Sequence, residues 1–208
     1  MKKILLVTGI LLFGLAGLMV AITDKQAPAP LRTSLEYPQA RVLAPFRLTD
    51  QHGQVFDNAR LMGKWSLFFL GYTSCPDLCP TTLGKLAAAY PELSALAPFQ
   101  VVFISVDPQR DTQAKLLDYI NFFNPEFIAA TAGHEQLFPL SRSLGFVYAL
   151  VGDGDDYQID HSASMVLVSP AGERVAVIKP SASPGQALQI RNQDLIADLG
   201  QIIRRHRD

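Results

Sequence analysis

Apolar and polar positions alternate in blocks from Phe46 onward. Phe46-Arg47-Leu48-Thr49 and Val55-Phe56 flank the turn-forming Asp50-Gln51-His52-Gly53-Gln54, which predicts a β-hairpin at the start of the domain. Trp65 to Tyr72 (WSLFFLGY) is apolar almost without a break. Gln100 to Val106 (QVVFISV) is similar, and runs of this kind mark strands buried on both faces. Between them, Pro80 to Leu96 reads as a helix. Thr112 to Phe123 carries Leu116, Leu117, Ile120 and Phe123 on one helical stripe. A short strand is expected over Phe127 to Thr131 and a helix over His134 to Leu144. Two further strands, Met165 to Ser169 and Arg174 to Ile178, are joined by the turn Pro170-Ala171-Gly172-Glu173. Asn192 to Arg205 closes the chain as a helix. Strand–helix–strand–helix followed by a hairpin and a helix predicts an α/β domain, a central sheet with helices on both faces, and the thioredoxin-like fold is its natural candidate.

The N-terminal pattern differs. No residue from Ile4 to Thr23 is charged, and a helix there spans about 30 Å, the thickness of a bilayer core. Lys2 and Lys3 precede it, which orients the N-terminus to the cytoplasm and the remainder to the other side. The alternative is a cleaved signal peptide, but the run is long for one and no A-x-A directly follows it. Asp24 to Pro45 carries Pro28, Pro30, Pro38 and Pro45 with little apolar pattern and reads as an extended linker. The expected organisation is therefore a transmembrane anchor at 1–23, a linker at 24–44 and a thioredoxin-like domain at 45–208. A single-pass protein of the bacterial inner membrane with its domain in the oxidising periplasm follows from this layout.

Charge narrows the function. The 208 residues sum to a net −1 with acids and bases mixed along the chain. Without a basic stripe, nucleic acid is not an expected partner.

The chain has two cysteines, Cys75 and Cys79, set between prolines after the first long buried strand. Open α/β sheets place their ligand sites there. Pro80 suits the first position of a helix and disfavours helical geometry at Cys79, so Cys79 is expected at the N-cap. Both sulfurs then lie near the positive end of a helix dipole, which favours thiolate. Three chemistries are open for the pair. A structural disulfide closing so short a loop stabilises by only about 2 kcal/mol. A redox couple is the second. A metal clamp is the third, and three intervening residues rather than the two of C-x-x-C lean toward it. Two thiolates satisfy Cu(I) poorly, and an imidazole is the obvious addition. Of the four histidines, His52 falls in the hairpin turn, His134 at a helix start and His206 in the charged tail. His161 lies just before a predicted strand, in a loop expected to fold back over the one carrying Cys75.

FLGYTSCPDLCPTTL, FISVDPQRDT and DYQIDHSASMVLVSPAGE, in this order, closely resemble the Sco/SenC proteins, membrane-anchored copper-binding proteins with a thioredoxin fold. The resemblance runs from about Pro45 to the last helix. It implies copper, as Cu(I) or Cu(II), held by Cys75, Cys79 and His161. It also implies a role in assembling cytochrome c oxidase, with delivery to the CuA site of subunit II and a periplasmic copper donor upstream. One departure is Val168-Ser169-Pro170, where the family often has an acidic residue before the proline. A Cys75–Cys79 disulfide, and with it a thiol-disulfide oxidoreductase that keeps the CuA cysteines reduced, is the alternative to a non-enzymatic metallochaperone. Asp107 and Arg110 are candidates for outer support of the copper or for partner docking. Asp77, between the cysteines, is a candidate oxygen donor or partner contact. Asp111 or Thr112 is expected to cap the following helix, Asp111 being the favoured of the two.

Overall fold

The structure is a computed structural model that describes residues 29–152, 154, 157–181 and 189–206. Leu31–Asp208 form one compact unit. The expected anchor at 1–23 lies outside the described residues. Among the described residues no helix is long and apolar enough to cross a membrane.

The two apolar runs form β4 (Trp65–Gly71) and β5 (Phe99–Ser105), and every residue of both is buried. They pair in parallel at the centre of an eight-stranded sheet. Strand periodicity sends their side chains alternately to the two faces. Trp65, Leu67 and Phe69 enter one core with Val101 and Phe103; Phe68, Leu70 and Tyr72 enter the other with Val102 and Ile104. Burying each such side chain contributes roughly 1.5–3 kcal/mol, which is why these strands occupy the centre of the sheet.

The other strands are β1 (Ser34–Val42), β2 (Arg47–Asp50), β3 (Val55–Asp57), β6 (Ile128–Thr131), β9 (Met165–Val168) and β10 (Glu173–Ile178), in the order β1-β10-β9-β4-β5-β6-β2-β3. β2 and β3 are the predicted hairpin, and β9 and β10 the predicted antiparallel pair. Helices α1 (Leu78–Leu96), α2 (Gln113–Phe123) and α4 (Asn192–Arg205) cover one face. Helix α3 (His134–Leu144) and a separate two-stranded ribbon, β7 (Tyr148–Val151) with β8 (Gln158–His161), cover the other.

Three expectations need correction. Residues 34–42 are not a free linker: they form edge strand β1, antiparallel to β10. Pro38 conceals the strand, yet an edge strand tolerates proline, and the pairing slips between Glu36 and Arg41 around it. A partner distant in sequence draws the segment in. The buried Asp198 carboxylate of α4 accepts the backbone N–H groups of Arg32, Thr33 and Ser34 at 2.8–3.0 Å, and bonds to a charged acceptor contribute about 1.5–3 kcal/mol each. Second, α1 begins at Leu78 with Asp77 as its N-cap. Cys79 therefore sits inside the first turn and Pro80 one position further, where a missing N–H costs no intrahelical bond. Third, His161 does lie ahead of the expected strand, β9, but not in a loop: it is the last residue of β8.

Candidate metal centre

Three segments converge at the C-terminal end of β4. The first is the turn between β4 and α1. Cys75 donates its backbone N–H to the Tyr72 carbonyl at 3.2 Å, closing a β-turn over Thr73 and Ser74 and leaving the thiol half-buried. The second is the first turn of α1, whose Cys79 is fully buried. Its sulfur lies against the end of β4, where Gly71 leaves room for it: a Cβ at Gly71 would fall 2.7 Å from Cys79 Sγ and 2.6 Å from the Phe103 ring. An alanine there collides with both, so the glycine is a requirement of close approach.

The third segment is the β7–β8 ribbon. His161 stands opposite Tyr148 in its register. Its ring meets Phe69 and Tyr72 edge-on, with centroids 6.2 and 6.1 Å away. Nδ1 lies 3.1 Å from the Ser162 carbonyl oxygen. A carbonyl only accepts, so Nδ1 carries the proton and Nε2 keeps its lone pair. Nε2 lies 3.6 Å from Cys79 Sγ. The ligating atoms of Cys75, Cys79 and His161 all fall within 4.8 Å of one another, and they are the cluster of this kind among the described residues.

The two thiols share one negative charge. A hydrogen bond from Cys79 holds Cys75 down to about 3; burial opposes this, while the Cys79 and Asp77 backbone groups support it. Cys79 is pushed well above the usual thiol range by that same bond to Cys75 and by burial. The charge settles on Cys75, the more accessible sulfur. A thiol whose folded pKa is lowered is thiolate at any pH above that value. We therefore expect iodoacetamide to alkylate Cys75 in the reduced protein at pH 5, where an ordinary thiol with pKa near 8.5 is almost inert. Cys79 should stay unmodified, as peptide mapping would show. Equal labelling of the two, or none at pH 5, would contradict this distribution of charge.

The remaining candidates fall into place differently. Asp77 is exposed and accepts the Thr81 hydroxyl at 3.3 Å; it is not part of the three-residue cluster. Asp107 is buried and accepts the Tyr157 hydroxyl and Arg110 Nε, each at 2.5 Å. Arg110 donates to the Tyr157 carbonyl at 3.0 Å and lies 3.8 Å over the Tyr157 ring and 5.9 Å from the centre of Tyr72. Asp107 and Arg110 thus clamp Tyr157, the residue just before the His161 strand. Asp111 does not cap α2; Thr112 does, accepting Lys115 N–H at 3.3 Å. His134 bonds Tyr148 at 2.9 Å, His206 packs against Trp65, and His52 is exposed in the β2–β3 turn.

Tyr72, Gly71, Tyr157 and Ser162 all shape the site, and sequence reasoning missed them. A usable signal was present: Tyr157, Ile159 and His161 alternate with polar Gln158 and Asp160, the mark of a strand with one buried face.

Known proteins share both the sequence and the fold. The family model described as SCO1/SenC matches residues 35–193. A SCO2-like protein of Rickettsia conorii is 32% identical over 197 residues, covering 92% of this chain and 96% of that one. Among solved structures, Arabidopsis thaliana ScoI with copper bound superposes with a TM-score of 0.68 at 32% identity, over 79% of this chain and 99% of that chain. Bradyrhizobium japonicum ScoI with copper bound gives 0.65 at 31% identity, over 77% and 98%. Two thiol groups and one imidazole on the mixed α/β scaffold of those structures, together with the match from β1 into α4, establish that this chain belongs to the SCO1/SenC family.

Proposed function

We propose that the protein binds one copper ion through Cys75, Cys79 and His161 and delivers it to the CuA site of cytochrome c oxidase subunit II. The observation that carries this reading is the convergence of two sulfurs and an unprotonated Nε2 within 4.8 Å from three different segments. The donor set fits the metal: thiolates favour Cu(I), and imidazole is compatible with both copper states. Three protein ligands leave a place for a ligand of the recipient, so copper can pass by stepwise exchange. This transfer asks no covalent chemistry of the protein. The half-buried Cys75 is the sulfur an incoming partner reaches first.

In the same proposal the uncharged run from Ile4 to Thr23 anchors the protein in the bacterial inner membrane, with the domain in the periplasm, where a copper donor loads it. Lys2 and Lys3 ahead of that run support the orientation.

The thiols also favour a second reading, reduction of the recipient's CuA disulfide. A low-pKa accessible Cys75 beside a buried, protonated Cys79 is the pattern of an attacking and a resolving thiol. Cys75 thiolate would form a mixed disulfide, and Cys79 would release the reduced partner. The protein is then oxidised by two electrons to the Cys75–Cys79 disulfide.

The deciding experiment mixes copper-loaded protein with the apo, fully reduced soluble domain of subunit II. The expected outcome is the appearance of the CuA absorption as copper leaves the donor. If copper stays bound while an oxidised recipient is reduced instead, the second reading replaces the first.

A further inference from the structure

We infer that Asp111 is a positioning residue for the metal centre, its buried carboxylate holding the turn that ends at Cys75; this rests on the copper reading above. Asp111 is 1% exposed. Its Oδ2 accepts Thr73 N–H at 2.9 Å and the Ser105 hydroxyl at 2.6 Å, and its Oδ1 accepts the Thr73 hydroxyl at 2.6 Å.

The pattern of partners excludes the simpler role. Helix α2 already has its cap in Thr112, and none of these three bonds touches α2. They join the end of β5 to the turn between β4 and α1. Thr73 is the first central residue of that turn, which the Cys75 N–H to Tyr72 carbonyl bond closes. Lys115 Nζ holds the other central residue, Ser74, at 3.3 Å. Thr73 is gripped at both its backbone and its side chain, so the turn can neither rotate nor lift without breaking a bond to a buried charge. Cys79 needs no such device, because it is packed inside α1 against Gly71 and Phe103. The half-buried Cys75 is the ligand whose position is free to drift, and Asp111 removes that freedom.

A carboxylate suits this task and its amide does not. All three contacts are donors directed at oxygen. Asparagine offers one oxygen, and its NH2 would face a donor.

The test uses the reduced full-length protein and the variants Asp111→Asn, Thr73→Val and Thr73→Ser. Circular dichroism and apo thermal unfolding are measured beside Cu(II) affinity and the thiolate-to-Cu(II) charge-transfer band. The equilibrium of the dithiol with oxidised glutathione, giving the Cys75–Cys79 disulfide and two reduced glutathiones, supplies a readout without metal. Asp111→Asn is expected to weaken copper at least tenfold and to shift the band. Thr73→Val, which keeps the N–H and loses the hydroxyl, should show a smaller change of the same kind. Thr73→Ser restores wild-type behaviour. The glutathione equilibrium should shift at least threefold in Asp111→Asn and Thr73→Val. If Asp111→Asn does not fold, Thr73→Val decides.

Folded variants that lose thermal stability but keep the wild-type band, affinity and glutathione equilibrium overturn the inference. Wild-type protein without a charge-transfer band would sink the copper reading. The glutathione shift would then still support the positioning role, and its absence would overturn it.

Discussion

Replacing His161 by alanine is expected to lower Cu(II) affinity by at least about a hundredfold while leaving thiol chemistry nearly intact. Loss of an outer-shell partner of a ligand already costs roughly 10–100-fold, and His161 is the nitrogen donor of the cluster itself. Cu(I) should suffer less, because it tolerates two-coordination by thiolates, weaker though that is than three ligands. The thiolate on Cys75 depends first on its bond from Cys79. The variant should therefore still exchange disulfides. The ring packs edge-on between Phe69 and Tyr72, so apo stability must be measured beside affinity to separate lost packing from lost ligation. Oxidase assembly at low copper is the cellular readout. Failure of assembly with intact disulfide exchange supports the chaperone reading; normal CuA loading would hand the case to the oxidoreductase reading.

Replacing both Cys75 and Cys79 by serine is expected to abolish stoichiometric copper binding altogether. Serine hydroxyls are not deprotonated at neutral pH and lack the softness that selects Cu(I). A single imidazole, His161, would remain of the cluster. The charge-transfer band of the Cu(II) protein should vanish, since its electron donor is sulfur. The fold should largely survive, because the change replaces one atom per residue and neither thiol staples distant segments. Copper titration of the reduced double variant beside wild type, followed in the visible band, is the measurement. Retention of one copper per chain at unchanged affinity would remove the cysteine pair from the site and leave the copper reading without support.

The two behaviours trace to different parts of the chain. Cys75 and Cys79 are near neighbours, and their meeting is local: a buried strand ends, a turn follows, and a helix starts with a proline in its first turn. That geometry was readable from spacing alone, although Asp77 rather than Cys79 proved to be the cap. His161 is 82 residues from Cys79, and its arrival depends on the β7–β8 ribbon. Sequence reading expected a loop there. The ribbon pairs only with itself, so no long apolar run announces it. The resemblance to a family named His161, whereas its tautomer, its aromatic walls and the Asp107–Arg110–Tyr157 clamp came from packing. Asp111 illustrates the same limit. Standing beside Thr112 before a helix, it looked like a cap, because local propensity cannot show that Thr73, 38 residues away, competes for its oxygens.

By itself the sequence determined the elements whose signal is local. These are the two wholly buried strands β4 and β5, the helices between and after them, the β2–β3 and β9–β10 hairpins, and two sulfurs at the mouth of a helix. Burial periodicity and turn chemistry are properties of neighbouring residues, so they can be read along the chain. Only the tertiary structure decided that residues 34–42 are an edge strand, that Cys79 is buried while Cys75 is half-open, that Nε2 of His161 faces the sulfurs, and that Asp111 holds the cysteine turn. Each of these depends on groups far apart in sequence meeting in a low-dielectric interior, where an unpaired charge or donor is costly and partners are chosen by what else is within reach.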